Sequence, residues 1–200
     1  MITVLLDSSN TNLSVGIAKD NVVLDYISYE AWQRQSEYMI PELHKLLTKY
    51  DIDSSDIKEV IVAIGPGSYT GVRIAITIAK TICTALGATL LPVSSLRVLK
   101  DKKKPSICLI NARSGRSYIG AYQDQKELLK DQIMSNEEVL KYINEHPDYS
   151  VCGDTKYLGI EGINSNTIQE MLSLKESLKG INPLSLKPVY MKEEYAKPLY

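Results

Sequence analysis

Two histidines, three cysteines and almost no net charge narrow the chemistry open to this chain of 200 residues. His44 and His146 are too far apart to form a His-x-x-x-His pair, so no helix here offers two imidazoles to one metal ion. Cys83, Cys108 and Cys152 stand among apolar neighbours at scattered spacings, which fits neither a disulfide framework nor a metal knuckle and predicts buried, inert thiols. Twenty-three Lys and Arg against 24 Asp and Glu leave a formal charge of −1. With no global field to attract a polyanion, tight binding of nucleic acid by this chain alone is not expected. No apolar run approaches the roughly 20 residues of a membrane span. The first residues form a short β-type run, 2–6, instead of a basic start followed by an apolar leader, so a soluble cytoplasmic protein without a membrane partner is expected. A Gly-x-Ser-x-Gly elbow is missing, which argues against a serine hydrolase of that kind.

What is present is a core of ample size, 44% apolar, and an order of elements that runs twice. Three β-type runs, 2–6, 13–18 and 22–29, are separated by polar turns and read as an antiparallel meander. A helix over 37–50 follows, in which Met39, Leu43, Leu46, Leu47 and Tyr50 recur at helical spacing and Pro41 imposes a kink or marks the first turn. Then come a strand at 60–64, a glycine loop at 65–71, a helix ending near Gly87 and a strand at 89–93. Beyond the basic, proline-ended link 100–105 the order restarts. Strands are expected at 106–110, 117–122 and 128–133, and Ser135 with Glu138 forms a capping box for a helix carrying Val139, Leu140 and Ile143. A short strand at 149–152 precedes a last helix, capped by Thr167 with Glu170. The repeated order points to an α/β protein of two ribonuclease-H-like lobes, the plan of the actin, Hsp70 and sugar-kinase class. The boundaries are 1–100 for the first lobe and 101–200 for a reduced second lobe, with the last residues returning to the first.

The most specific segment is Gly65-Pro66-Gly67-Ser68-Tyr69-Thr70-Gly71-Val72-Arg73, between a buried strand and a helix. Its free amides at the helix start suit an anion, whereas the plain alternative is that glycines let strand, turn and helix pack closely. No Lys follows them, as a Walker-type phosphate loop requires. With Leu6-Asp7-Ser8-Ser9, Pro92-Val93-Ser94-Ser95-Leu96, Asn111-Ala112-Arg113 with Tyr118, and Pro188-Val189-Tyr190, this loop resembles the TsaB (YeaZ) family. Gly65, Pro66, Gly67, Ser68, Tyr69, Thr70, Gly71 and Arg73 carry the family signature. The resemblance is dense over residues 1–97 and thins in the second lobe.

The resemblance implies a non-catalytic subunit of the bacterial machinery that makes threonylcarbamoyladenosine in tRNA. It implies pairing with the paralogue TsaD, work alongside the ATPase TsaE, and contact with tRNA through the complex. No intrinsic cofactor is expected, ATP or ADP and metal belonging to the partner subunits. Nucleotide chemistry also reads as eroded here: Asp7-Ser8-Ser9-Asn10-Thr11 lacks the glycine of the actin-class phosphate turn, Asn111 stands where a carboxylate is usual, and Val151-Cys152-Gly153-Asp154 offers one glycine. An actin-class small-molecule kinase or ATPase, and a metallopeptidase-like hydrolase, are the alternative functions. For the partner face, the helix over 70–86 is apolar around nearly its whole circumference and must be covered on more than one side. In the family this helix and the one before it build a bundle with the matching pair of TsaD, or a homodimer through the same face. Met39, Leu43, Leu46, Leu47, Ile76, Ala79 and Cys83 are the expected interface residues.

Overall fold

The computed structural model describes residues 1–191. Strands β1 (Ile2–Asp7), β2 (Asn12–Lys19) and β3 (Val22–Glu30) form the expected meander. Asp20 and Asn21, both at positive φ, make the tight two-residue turn between β2 and β3, which suits the twist of the paired strands. Helix α1 (Gln35–Lys49) starts two residues earlier than expected and runs through Pro41. Proline deprives Glu37 of one helical hydrogen bond, and the burial of Met39, Leu43 and Leu46 in the core holds the helix on both sides of it. Strand β4 (Ile57–Ala63), helix α2 (Tyr69–Leu86) and strand β5 (Thr89–Val93) complete a five-stranded sheet in the order β3-β2-β1-β4-β5. The central β1 pairs antiparallel with β2 and parallel with β4. Gly87, at φ 66°, stops α2 as the sequence indicated.

The second half repeats the order without its fifth strand. Strands β6 (Ser106–Arg113), β7 (Arg116–Gln123), β8 (Lys126–Ser135) and β9 (Ser150–Gly153) form a sheet ordered β8-β7-β6-β9. Helix α3 (Asn136–Glu145) carries the expected Ser135–Glu138 capping box. The last helix, α4 (Thr167–Ser173), departs from expectation twice. Its N-cap is Asn166, whose side chain accepts the Gln169 amide, and the helix packs on the sheet of the first half. Side chains alternate across a strand: Val4, Leu6, Val60 and Val62 face α1 and α2, while Leu5, Ile61, Leu91 and Val93 meet Ile168, Met171 and Leu174 of α4 and the turn after it.

Glu170, placed in a cap by the sequence, is 1% exposed and receives Lys100 Nζ at 2.8 Å and Lys102 Nζ at 3.2 Å. Two lysines of the basic link are therefore engaged, Lys100 deep in the protein. On the same side Lys175 pairs with Glu59 at 2.5 Å and donates to Asn21. Between the two sheets, Asp131 accepts hydrogen bonds from Ser94 Oγ and Tyr122 Oη, and its burial pushes its carboxyl above the usual range. Past α4 the chain returns to the first half, where the Val189 amide donates to Ile64 O at 2.8 Å. The expectation for the final residues otherwise falls outside the described ones.

Candidate functional site

A cleft of about 570 Å³ opens between the two sheets. One wall is the β1–β2 turn, Ser9 to Thr11, with Trp32 and the start of α2. The other is Ile110 to Arg113 with Tyr118 and Asp154, and residues 189–191 close one side. Two turns of the same design face each other across it. In the first half Asp7 Oδ1 accepts the Ser9 amide at 2.8 Å; in the second, Asn111 Oδ1 accepts the Arg113 amide at 2.8 Å. Both side chains cap their own turns, two residues ahead. Burial raises the Asp7 carboxyl above its ordinary value, against the lowering effect of the Ser9 amide. The Ser9 hydroxyl leans toward the same carboxylate without reaching hydrogen-bond geometry. Desolvation also raises Asp154.

The aromatic residues at the rim each have company. The Arg113 guanidinium lies 5.4 Å from the centre of the Trp32 ring. Tyr190 stacks on Tyr69 with centroids 5.0 Å apart, and Tyr69 Oη accepts Arg73 Nη1 at 2.7 Å. His44 is exposed on α1, and His146 is held by Tyr142 O and set against the rings of Tyr142 and Tyr149. The two imidazoles thus occupy different halves of the molecule.

The α1–α2 pair differs from the sequence reading in which face is free. Ala79, Cys83 and Ile76 are 0%, 2% and 4% exposed, and Met39, Leu43 and Leu46 are equally sequestered. All six belong to the core between the helices and the sheet, with Leu47 packed at its edge. The small residues bring α2 close to its own lobe, so this stripe is not open to a second subunit. The uncovered surface lies about a quarter-turn away on α1 and nearly opposite on α2: a groove of about 500 Å³ lined by Ser36 and Ile40 of α1 and by Tyr69, Thr70, Arg73, Ile74, Thr77 and Ile78 of α2. Ile40 is half exposed. Helical spacing revealed this stripe as apolar in the sequence, but exposure decided between it and its neighbour. Tyr69 and Thr70 line both groove and cleft.

Comparison with known proteins gives this geometry a family. Residues 29–161, about two thirds of the chain, match the family model "TsaD: tRNA N6-adenosine threonylcarbamoyltransferase". The tRNA threonylcarbamoyladenosine biosynthesis protein TsaB of Bacillus subtilis is 36% identical over 145 residues, 70% of this chain; the chain spans 62% of that relative's length. The chain belongs to the TsaB (YeaZ) family. An uncharacterized protein of Mycoplasma genitalium is 29% identical over 94% of this chain and 93% of its own. Among solved structures, YeaZ from Pseudomonas aeruginosa superposes with a TM-score of 0.81 at 22% identity, covering 94% of this chain and 99% of that one, which shows a shared two-lobed, actin-like fold.

The TsaB signature loop has a packing explanation in this structure. A Cβ on Gly71 would stand 1.9 Å from Ser8 O, and one on Gly67 would stand 2.2 Å from Ser9 O. Ser8 Oγ donates to Gly71 O, and the Ser68 amide donates to Ser9 O. The loop is thereby knitted to the β1–β2 turn, with backbone against backbone where no methyl fits. Gly71→Ala must push these segments apart and is expected to cost about 1–3 kcal/mol. The urea midpoint should fall with an unchanged slope, and a wild-type midpoint would show that the contact relaxes freely.

Proposed function

We propose that this chain is a non-catalytic scaffold subunit of the tRNA threonylcarbamoyladenosine machinery, docking TsaD through the groove between α1 and α2. The observation that carries the reading is that groove. Ile40, Ile74 and Ile78 are partly exposed side by side on two helices whose other faces are already packed. An apolar strip of this kind suits a helix pair laid along it, and two helices from each side supply a standard interface of about 1,600 Å². A homodimer through the same groove is the state expected when TsaD is absent. The scaffold assignment is supported by the engagement of Asp7 and Asn111 as turn acceptors and by the separation of the two histidines. Metal and nucleotide are then supplied by TsaD and TsaE, tRNA is met through the complex, and the work is cytoplasmic.

The test is copurification and affinity measurement with TsaD, using Ile40→Asp and Thr77→Arg. Each places a charge in the groove without entering the core, so folding stability should stay within about 0.5 kcal/mol while affinity falls about thirtyfold, near 2 kcal/mol. Unchanged affinity in both folded variants would move the contact elsewhere. Threonylcarbamoyl transfer by this chain in the absence of TsaD would overturn the non-catalytic assignment.

A further inference from the structure

The three cysteines are buried free thiols, as their apolar neighbours in the sequence indicated, but they are not alike. Cys83 sits in the core under α2, and burial pushes its thiol up to about 11, which suits an inert residue. Cys108 of β6 and Cys152 of β9 differ from it in having each other. Their strands run parallel in a register that sets Cys108 directly beside Cys152. Paired residues point to the same face of a sheet, and both side chains are fully buried in one cluster with Leu99, Tyr118 and Tyr122. Neighbouring strands lie about 4.8 Å apart, inside the roughly 4.4–6.8 Å between α-carbons that a disulfide spans. Backbone on the outer sides fixes the pair, since β6 is also held by β7 and Cys152 bridges to Ile163.

Polar groups collect at one of the two sulfurs. Two residues back along the same strands, Ser106 and Ser150 form the preceding register pair. Both bond to Asp101: its amide donates to Ser106 Oγ at 2.9 Å, and Ser150 Oγ donates to its Oδ2 at 2.9 Å. The Cys152 sulfur accepts from the Cys108 thiol, the Asp101 amide and the Ser106 hydroxyl. These donors, Cys108 foremost, draw the Cys152 thiol below its ordinary value in spite of burial. Burial, and then the same hydrogen bond, push the Cys108 thiol well up. One sulfur is thereby favoured as the thiolate and the other as its proton-bearing neighbour.

We propose that Cys108 and Cys152 form a reversible redox site, oxidised by a hydroperoxide to an intramolecular disulfide that ties β9 to β6. The Cys152 sulfur attacks one peroxide oxygen, the O–O bond breaks, and the departing oxygen leaves with the Cys152 proton as an alcohol or water. A sulfenic acid remains on Cys152. The Cys108 sulfur then attacks the Cys152 sulfur, the S–O bond breaks, and the hydroxyl departs with the Cys108 proton as water. Two thiols and a hydroperoxide thus become one disulfide, one water and one alcohol or second water. The oxidant reaches the pair by local opening of the link at Asp101, whose next three residues, Lys102, Lys103 and Lys104, are exposed. Cys83 lies in a separate core cluster and takes no part.

The test treats the reduced full chain with hydrogen peroxide under native conditions, blocks remaining thiols by alkylation in denaturant, and reads intact and peptide masses. The expected product is a monomer that has lost two hydrogens, with Cys108 cross-linked to Cys152 and Cys83 alkylated. Dithiothreitol should restore all three thiols. Cys108→Ala should leave a sulfenic acid on Cys152 that dimedone captures, whereas Cys152→Ala should leave Cys108 a thiol, each variant first being shown to melt cooperatively. The wild-type masses decide by themselves if either variant fails to fold. The proposal is overturned if the native chain keeps three thiols, if the disulfide forms only in urea, or if it joins two chains or includes Cys83. Dimedone on Cys108 instead of Cys152 would overturn the roles given to the two sulfurs. TsaD is not in the assay, so failure here leaves the docking groove untouched, and failure of the groove leaves this site untouched.

Discussion

Ala79→Arg is expected to abolish the folded protein. Ala79 is fully buried in the middle of α2, against the core shared with α1 and the sheet. An arginine there must desolvate a guanidinium that finds no acidic partner in an apolar core, and it must displace side chains packed at near-crystalline density. The two terms together should exceed about 4 kcal/mol, a large part of the stability of an ordinary domain. Circular dichroism should show a lost or broadened thermal transition, and expression should shift to the insoluble fraction. Thr77→Arg, two residues away on the groove side, is the control: the same charge on the same helix should leave the melt intact. If Ala79→Arg melts as wild type does and loses only TsaD, the buried stripe is after all the docking face.

Lys100→Met should cost about 3–5 kcal/mol by stranding the Glu170 carboxylate. Glu170 is 1% exposed, and Lys100 Nζ, at 2.8 Å, is its buried partner. Lys102, the other neighbour, is itself more than half exposed and sits at 3.2 Å, so water screens much of what it provides. Since α4 covers the far face of the first sheet, the loss should loosen Ile168, Met171 and Leu174 from that sheet. At about 2–4 °C per kcal/mol for a chain of this size, the melting temperature should fall by roughly 6–20 °C. The double variant Lys100→Met with Glu170→Leu should recover most of the loss, because an apolar pair has no charge to desolvate. A double variant no more stable than the single would show that the charges define the position of α4 rather than one another's energy.

Much of this protein is decided locally. The strands alternate or run apolar between polar turns, Asp20-Asn21 specifies a tight hairpin, Ser135 and Glu138 close a capping box, and Gly87 ends α2. Those signals depend on contacts within a few residues, so the repeated order, the family loop and both sheets were legible in the sequence. Orientation was decided only in three dimensions. An apolar stripe reveals which residues share a side of a helix, and α2 is apolar on nearly every side, so its pattern contains no preference for sheet, neighbour or subunit. The sheet took Ala79 and Cys83 because small side chains permit the closest approach, and Ile74 and Ile78 were left at the groove. Helix α4 shows the same limit. Its sequence position assigns it to the second half, but the uncovered face of the first sheet offered Leu5, Ile61 and Leu91 for burial, and the Lys100–Glu170 pair formed where it landed. Neither the lysine in a basic run nor the glutamate in a plausible cap announces a buried ion pair, because their separation of 70 residues is closed by the fold alone.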